Sequence, residues 1–319
     1  AGDFEKAAGK WPTVGPTVSR FARMSTDSLP SWRPGPTKEA VVEFVTAVTD
    51  DGSPDYVAEV DRVAVFDNDG TLSTEMPLYT QLAFAFDRAA ALGKAATMEE
   101  LTAGGLPAVL ELVKLTHGSI STDDFEAVVQ EWAASSTHAR FERLYTSLVY
   151  QPMLELLAYL KANGFSCWIF SGGGVDFMRG WAPEVFGIDQ HQIIGSTGTV
   201  TFELADDGEP RLMKGADLAV LDDGPQKPIS IHQHVGRRPI FAAGNTDGDL
   251  PMLQWTDGSP HRSFGLVVHH TDGEREYAYD VDPLLGSGTE AVLAGAAEHD
   301  WSVVDMATDW DTIYNQEQP

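Results

Sequence analysis

Cysteine and positive charge are scarce in this chain, and long apolar runs are missing. The one cysteine, Cys167, excludes an internal disulfide and any cysteine-based metal site. It lies in Phe165-Ser166-Cys167-Trp168-Ile169-Phe170, an apolar run that predicts a buried structural thiol. Lys and Arg number 21 against 48 Asp and Glu, a formal net charge of −27. That field repels nucleic acid and anionic membranes, so neither is an expected partner. It also repels an anionic substrate mildly, so any phosphate site has to be locally positive. No run approaches the roughly 20 apolar residues that span a bilayer, so no membrane span is expected. Repeats and low-complexity tracts are absent as well.

What is present is a globular composition, 43% apolar and 22% charged. A length of 319 residues suits one large α/β domain with a smaller insertion, or two domains. The start, Ala1-Gly2-Asp3, has no apolar signal region, which fits a trimmed chain and a mature secreted one equally. The compartment stays open between cytoplasmic and secreted or periplasmic, and the oligomeric state stays open too.

Residues 1–36, rich in Pro, Gly, Ser and Thr, predict an arm over the surface. Val41, Val42, Phe44, Val45 and Val48 predict a helix over 37–48, with Thr37 as its cap. Val63-Ala64-Val65-Phe66 reads as a buried parallel strand. Residues 76–146 then show no convincing strand. Helical patterns run over 78–91, 106–115, 122–134 and 138–145, with Phe84, Phe86, Trp132 and Phe141 as their expected core.

From 147 onward strands and helices alternate. A helix opens at Pro152 and stops at Asn163-Gly164. A strand over 165–170 leads into Ser171-Gly172-Gly173-Gly174, read as a glycine-rich turn, and a helix over 175–181 follows. Short strands are expected over 192–196, 199–204 and 211–213, and then a loop that carries Lys227. Strands over 240–243 and 264–269 flank a helix with Leu250, Met252, Leu253 and Trp255. A helix near 287–299 and a strand over 301–304 come last. Such alternation predicts an α/β fold with a doubly wound, mainly parallel sheet. Ligands of such sheets sit at the carboxyl ends of the strands. Asp67, Ser171 and Asn245 all fall at such ends, on three different strands.

The chemistry gathers at Asp67-Asn68-Asp69-Gly70-Thr71. Two carboxylates this close repel, and the usual way to keep both ionised is a cation between them. A plain Asx-type turn is the other reading. Ser171 and its glycines, followed by a helix, come in the order that makes a phosphate cradle. Arg179, Arg237 and Arg238 are candidates for local positive charge, or plain surface ion-pair residues. His232 and His234 alternate as strand neighbours do, but a third zinc ligand is lacking and no zinc site is expected.

In chain order, D-N-D-G-T-L, F-S-G-G-G, a lysine and G-N-T-D-G-D-L-P-M-L resemble the four motifs of the haloacid dehalogenase (HAD) phosphohydrolase superfamily. The resemblance covers about residues 60–256, and the helical insertion after the first motif is similar to that of the phosphoserine-phosphatase-like branch. It implies a HAD-like (Rossmannoid) core of residues 37–75 and 147–319, with a helical cap of residues 76–146. It implies a Mg2+-dependent phosphatase acting on a small phosphorylated metabolite. In that scheme Asp67 is the nucleophile, giving an aspartyl-phosphate, and Asp69 is the acid and base. Ser171, the Gly172 amide and a lysine hold the transferring oxygens. Asn68, Gly173, Glu75 and Arg179 would add contacts to substrate. Asp67, the Asp69 carbonyl, Asn245 and Asp249 would bind Mg2+.

Two positions need a decision. The family usually has Asp where this chain has Asn245; an amide oxygen can still ligate Mg2+, and Asp247 or Asp249 are the candidates to compensate for the missing charge. The lysine is Lys227 or Lys214, and the distance to the fourth motif favours Lys227. A phosphotransferase or phosphomutase shares the same intermediate, and a binding protein on a degenerate core is the non-enzymatic alternative. Dehalogenation needs no acid at Asp69, and an ATP-driven pump needs membrane segments.

Overall fold

Val63–Phe66 form β1, in the interior of the sheet, with all four residues buried. Val63 and Val65 enter one hydrophobic layer, and Ala64 and Phe66 enter the other. Successive strand residues point to opposite faces, so a strand covered on both sides is apolar throughout. These facts come from a computed structural model that describes residues 27–94, 96–282 and 284–315. Most of the expected N-terminal arm lies outside the described residues.

The chain begins with α1 (Pro36–Thr49), β1, α2 (Thr80–Ala91), α3 (Met98–His117), β2 (Ile120–Ser121) and α4 (Thr122–Ala133). Next come α5 (Gln151–Ala162), β3 (Ser166–Gly174), α6 (Val175–Arg179), α7 (Ala182–Phe186), β4 (Ile193–Leu204) and β5 (Pro210–Val220). The last part holds α8 (Gln226–His234), β6 (Phe241–Gly244), α9 (Leu250–Asp257), β7 (Phe264–His269), α10 (Glu290–His299), β8 (Ser302–Asp305) and α11 (Met306–Asp309). Among the described residues, no helix is long and apolar enough to cross a membrane.

The sheet runs β2-β5-β4-β3-β1-β6-β7-β8. The six strands from β4 to β8 pair in parallel. β5 and β2 extend the sheet antiparallel. The chain winds outward from β1 in one direction through β3 and β4, then returns to the other side through β6, β7 and β8. The strand order therefore reverses between β1 and β6, where a crevice opens at the carboxyl ends. Helices α1 and α5 cover one face with Phe44, Val45, Leu156 and Leu160. Helices α8, α9 and α10 cover the other with Ile231, Met252, Leu253 and Val292.

Helices α2, α3 and α4 lie between β1 and α5 in sequence. α2 and α3 pack through Leu82, Ala85, Ala89, Leu101 and Leu112. The Phe84 ring meets Phe125 and Trp132 edge-on and reaches Phe177 of α6, 5.2 Å between centroids. Beyond the sheet β4 and β5 continue as a ribbon whose outer partner is β2.

Several local expectations need correction. Residues 138–145 are not a helix: the His138 N–H donates to Arg143 O and Glu142 is left-handed at φ 53°, so the segment folds back on itself. Phe141 consequently packs on Tyr277 and Tyr314, outside the helical insertion. Thr37 does not cap α1, which starts at Pro36; its hydroxyl donates to Asp309 Oδ2 instead. The separate strands expected over 192–196 and 199–204 are one strand, β4. His232 and His234 lie in the last turn of α8, where residues two apart face different directions.

Candidate active site

Asp67 leaves β1 with its N–H still bonded to Ala243 O of β6, so the carboxylate stands at the switch point. The chain then wraps around the Asn68 carbonyl, which accepts from the N–H groups of Leu72 and Ser73. Gly70 sits at φ 75°, and a Cβ there would lie 2.0 Å from Asn245 Nδ2. Both the left-handed turn and this close approach require glycine. His270 Nε2 pairs with Gly70 O at 2.7 Å and fixes the turn from the far side.

Lys227 is fully buried and bridges two carboxylates, with Nζ 2.5 Å from Asp67 Oδ1 and 2.6 Å from Asp249 Oδ1. It sits in the first turn of α8 rather than on the expected loop. Burial alone would pull the ammonium down, but Asp249 and Asp67 outweigh it and hold the lysine charged. Lys214 lines the outer part of the same cavity, paired with Asp176, its Nζ 4.6 Å from the centre of the Phe125 ring.

The glycine run is strand, not turn. β3 extends through Gly174, and its pairing with β4 shifts register between Ser171 and Gly174. The Gly173 N–H donates to Ser171 Oγ and the Gly174 N–H to Gln81 Oε1. Those two amides are engaged within the protein, so the expected cradle is smaller than the glycines suggest. Ser171 Oγ faces Asp69 Oδ2 at 3.5 Å, a long contact.

Asn245 follows the last residue of β6. Its Oδ1 accepts from Thr71 Oγ1 at 3.1 Å, and its Nδ2 donates to Glu75 Oε1 at 3.1 Å. Tyr279 OH donates to the same Glu75 oxygen at 2.6 Å. Asp249 is engaged at both oxygens, with Lys227 on one and the N–H groups of Asn245 and Thr246 on the other. Both oxygens of this carboxylate, expected from the motif to meet a metal, are thus engaged within the protein. Asp247 turns away to the N–H of Val292.

The pocket is charged unevenly. At its inner end Asp67, Asp69, Glu75 and Asp249 surround the Lys227 ammonium, while the other lining lysines, Lys114 and Lys214, are paired with Asp217 and Asp176. Burial pushes the Asp69 carboxyl up to about 6. Burial also raises Asp67, with Asp249 and Asp69 adding repulsion and Lys227 opposing it. Glu75 is raised by burial, with the charges of Asp69, Asp67 and Asp282 adding to it. Such a cluster needs another cation to stay ionised. Among the described residues, no set of three His, Cys, Asp or Glu side chains is arranged to cage a metal. A hard cation of the Mg2+ kind asks for less: one or two carboxylates, a carbonyl or amide oxygen, and waters. The donors at hand, Asp67, the Asp69 carbonyl and Asn245 Oδ1, fit that need.

One cavity of about 560 Å³ holds Asp67, Asp69, Glu75, Ser171, Gly172, Gly173, Lys227 and Asp249. Arg179 is a correction: its guanidinium binds the carbonyls of Gln190 and Ile193, off the cavity. Arg237 pairs with Asp61, and Arg238 lies over the Trp255 ring. Sequence reasoning missed Tyr279, Gln81 and His117. Tyr279 follows β7 in a segment with no periodic pattern, and nothing local marks it.

An α/β chain with a carboxylate pair at the switch point and a lysine against the first carboxylate belongs to a recognisable hydrolase class. Residues 64–254 match the haloacid dehalogenase-like hydrolase family, well over half of the chain. The protein is a member of that family. A conserved, functionally unknown protein from Anaerococcus prevotii is similar at 12% identity and a TM-score of 0.52, covering 83% of this chain and 90% of that one. A HAD family hydrolase from Salmonella enterica serovar Typhi is similar at 18% identity, TM-score 0.40, over 65% and 62% of the chains. A substrate-bound phosphoserine phosphatase is similar at 16% identity, TM-score 0.38, over 65% and 86%. Among curated proteins, none matches the chain in sequence.

Proposed function

We propose that this chain is a Mg2+-dependent phosphatase that hydrolyses a small phosphomonoester through an aspartyl-phosphate on Asp67. The observation that carries this reading is the buried unit of Asp67, Asp69 and Lys227 at the crevice between β1 and β6. Asp67, the Asp69 carbonyl and Asn245 would hold Mg2+, which screens the negative nucleophile from the negative phosphate. The helices α2, α3 and α4 would act as the cap.

In the first step an Asp67 carboxylate oxygen attacks phosphorus and the bond to the ester oxygen breaks. Asp69 gives its proton to that leaving oxygen, releasing the alcohol. In the second step Asp69 takes a proton from water as the water oxygen attacks phosphorus. The bond to Asp67 breaks and inorganic phosphate leaves. A carboxyl pushed up to about 6 suits a group that is acid in one step and base in the next. Lys227 holds Asp67 in place and offsets charge on the transferring oxygens, and Ser171 offers a hydroxyl to them. Asp67→Asn should abolish Mg2+-dependent release of phosphate from p-nitrophenyl phosphate while circular dichroism stays unchanged. Turnover at the wild-type rate by that variant would remove the covalent mechanism.

A further inference from the structure

The cavity extends well past the carboxylates, and its outer part differs in chemistry. Leu106, Val109, Leu110 and Val113 form one stripe of α3 along it, at helical spacing. Leu218 and Leu221 face it from the end of β5 and the residue after. Leu106, Leu218 and Leu221 remain 41%, 42% and 38% exposed, so apolar side chains from both walls look onto a space that protein does not fill.

The positive charges of the outer part are already matched. Lys114 reaches from α3 to Asp217 of β5 at 3.4 Å, linking the two walls at the rim. Lys214 is paired with Asp176. Lys227 is held by Asp67 and Asp249. Among the described residues, no arginine lines the cavity. A second anionic group on a ligand would therefore find no open cation there, and it would meet Glu111 and Asp223. An apolar body would cover the leucine and valine walls at no such cost.

Resting on the phosphatase reading, we infer that the substrate is a phosphate monoester of an uncharged alcohol with a hydrocarbon body. The phosphate lies at Asp67, and the body lies between α3 and the end of β5. Esters with an added carboxylate or a second phosphate, such as phosphoserine or nucleoside diphosphates, are poor ligands. The volume, about 560 Å³ in all, is in the range of cavities that enclose ligands much larger than phosphate.

The test is a homologous series of n-alkyl phosphates, methyl to octyl, with phosphoserine beside it. kcat/KM should rise about fourfold for each methylene that reaches the walls. The n-alkyl phosphonates, whose carbon–phosphorus bond resists hydrolysis, are titrated in parallel by calorimetry. Their Kd should tighten by the same factor per methylene. Leu106→Asp and Leu218→Asp, both at exposed positions, should flatten both slopes while circular dichroism is unchanged. Tightening phosphonates with no turnover of any ester would support the binding inference and defeat the phosphatase reading. Turnover independent of chain length, a preference for phosphoserine, or phosphonates that do not bind would overturn the inference.

Discussion

At the residue scale, Asn245 is the position where this chain departs from its family, and its neighbours explain how an amide is accommodated. Oδ1 and Nδ2 are distinct: one accepts from Thr71, the other donates to Glu75. A carboxylate at 245 could not donate, and it would face Glu75 across a hydrogen-bond distance with like charge. Glu75 thus occupies ground that a second motif carboxylate would contest. Asn245→Asp should lower the thermal midpoint of the metal-free protein and raise its gain on adding Mg2+, relative to wild type. A thermal-shift titration reads both without turnover. An unchanged metal-free midpoint would show that the contact with Glu75 contributes little. The notice of Asn245 comes from the motif alone; its bond to Glu75, 170 positions earlier, does not.

At the element scale, α3 shows how a helix end acquires a pH response. Thr97 and Glu100 cap its start reciprocally. His117 ends it, pressed between the Phe84 and Phe125 rings. Burial drives the imidazole down to about 3, with the charges of Lys214 and Arg88 adding to it. Unfolded, it would titrate near 6.5. Between those values the unfolded chain binds a proton that the folded chain does not, so stability falls as pH falls. The slope is about 1.4 kcal/mol per pH unit from 6.5 toward 3, and there is no further loss below that range. His117→Gln should make the acid limb of urea-unfolding stability shallower by close to one proton equivalent, compared with wild type. Equal slopes would mean that the helix end opens before the imidazole protonates. Periodicity predicts a shorter helix, 106–115, preceded by Gly104-Gly105. The chain instead runs helical from Met98 with a kink at Gly105, at φ 56°.

At the scale of the whole molecule, the charge of −27 sets the approach of ligands. The site is buried and holds one lysine among its carboxylates, so no local surplus of cations cancels the overall field. Two like-charged bodies repel over the Debye length, about 30 Å at 0.01 M salt and about 8 Å at 0.15 M. Inorganic phosphate should therefore bind this protein, with saturating Mg2+, more tightly as salt rises through that range. Calorimetry at several salt concentrations measures it. Weakening with salt, the usual behaviour of a basic anion site, would show that the local field at the pocket is positive.

The alternation of buried strands and helices was legible because it depends on local periodicity, and so were the ends at which Asp67 and Asn245 stand, whereas Ser171 lies three residues before the end of β3. A short apolar run of β-branched residues has few other fates than a covered strand. The motif order also singles out Lys227, whereas its place in α8 follows from no motif. Other features depend on partners distant in sequence. Arg179 binds backbone carbonyls because β4 and the turn before it pass beneath its guanidinium. Ser171-Gly172-Gly173-Gly174 stays extended because β4 pairs alongside it, with Gly195 so close to Gly173 O that a Cβ would lie 2.5 Å from it. Tyr279 reaches Glu75 across 204 positions. The sequence by itself determined which segments could be strands and where a carboxylate pair would emerge. Only the tertiary structure decided which polar groups are left facing the cavity, because side-chain hydrogen bonds and burial depend on neighbours that no local pattern specifies.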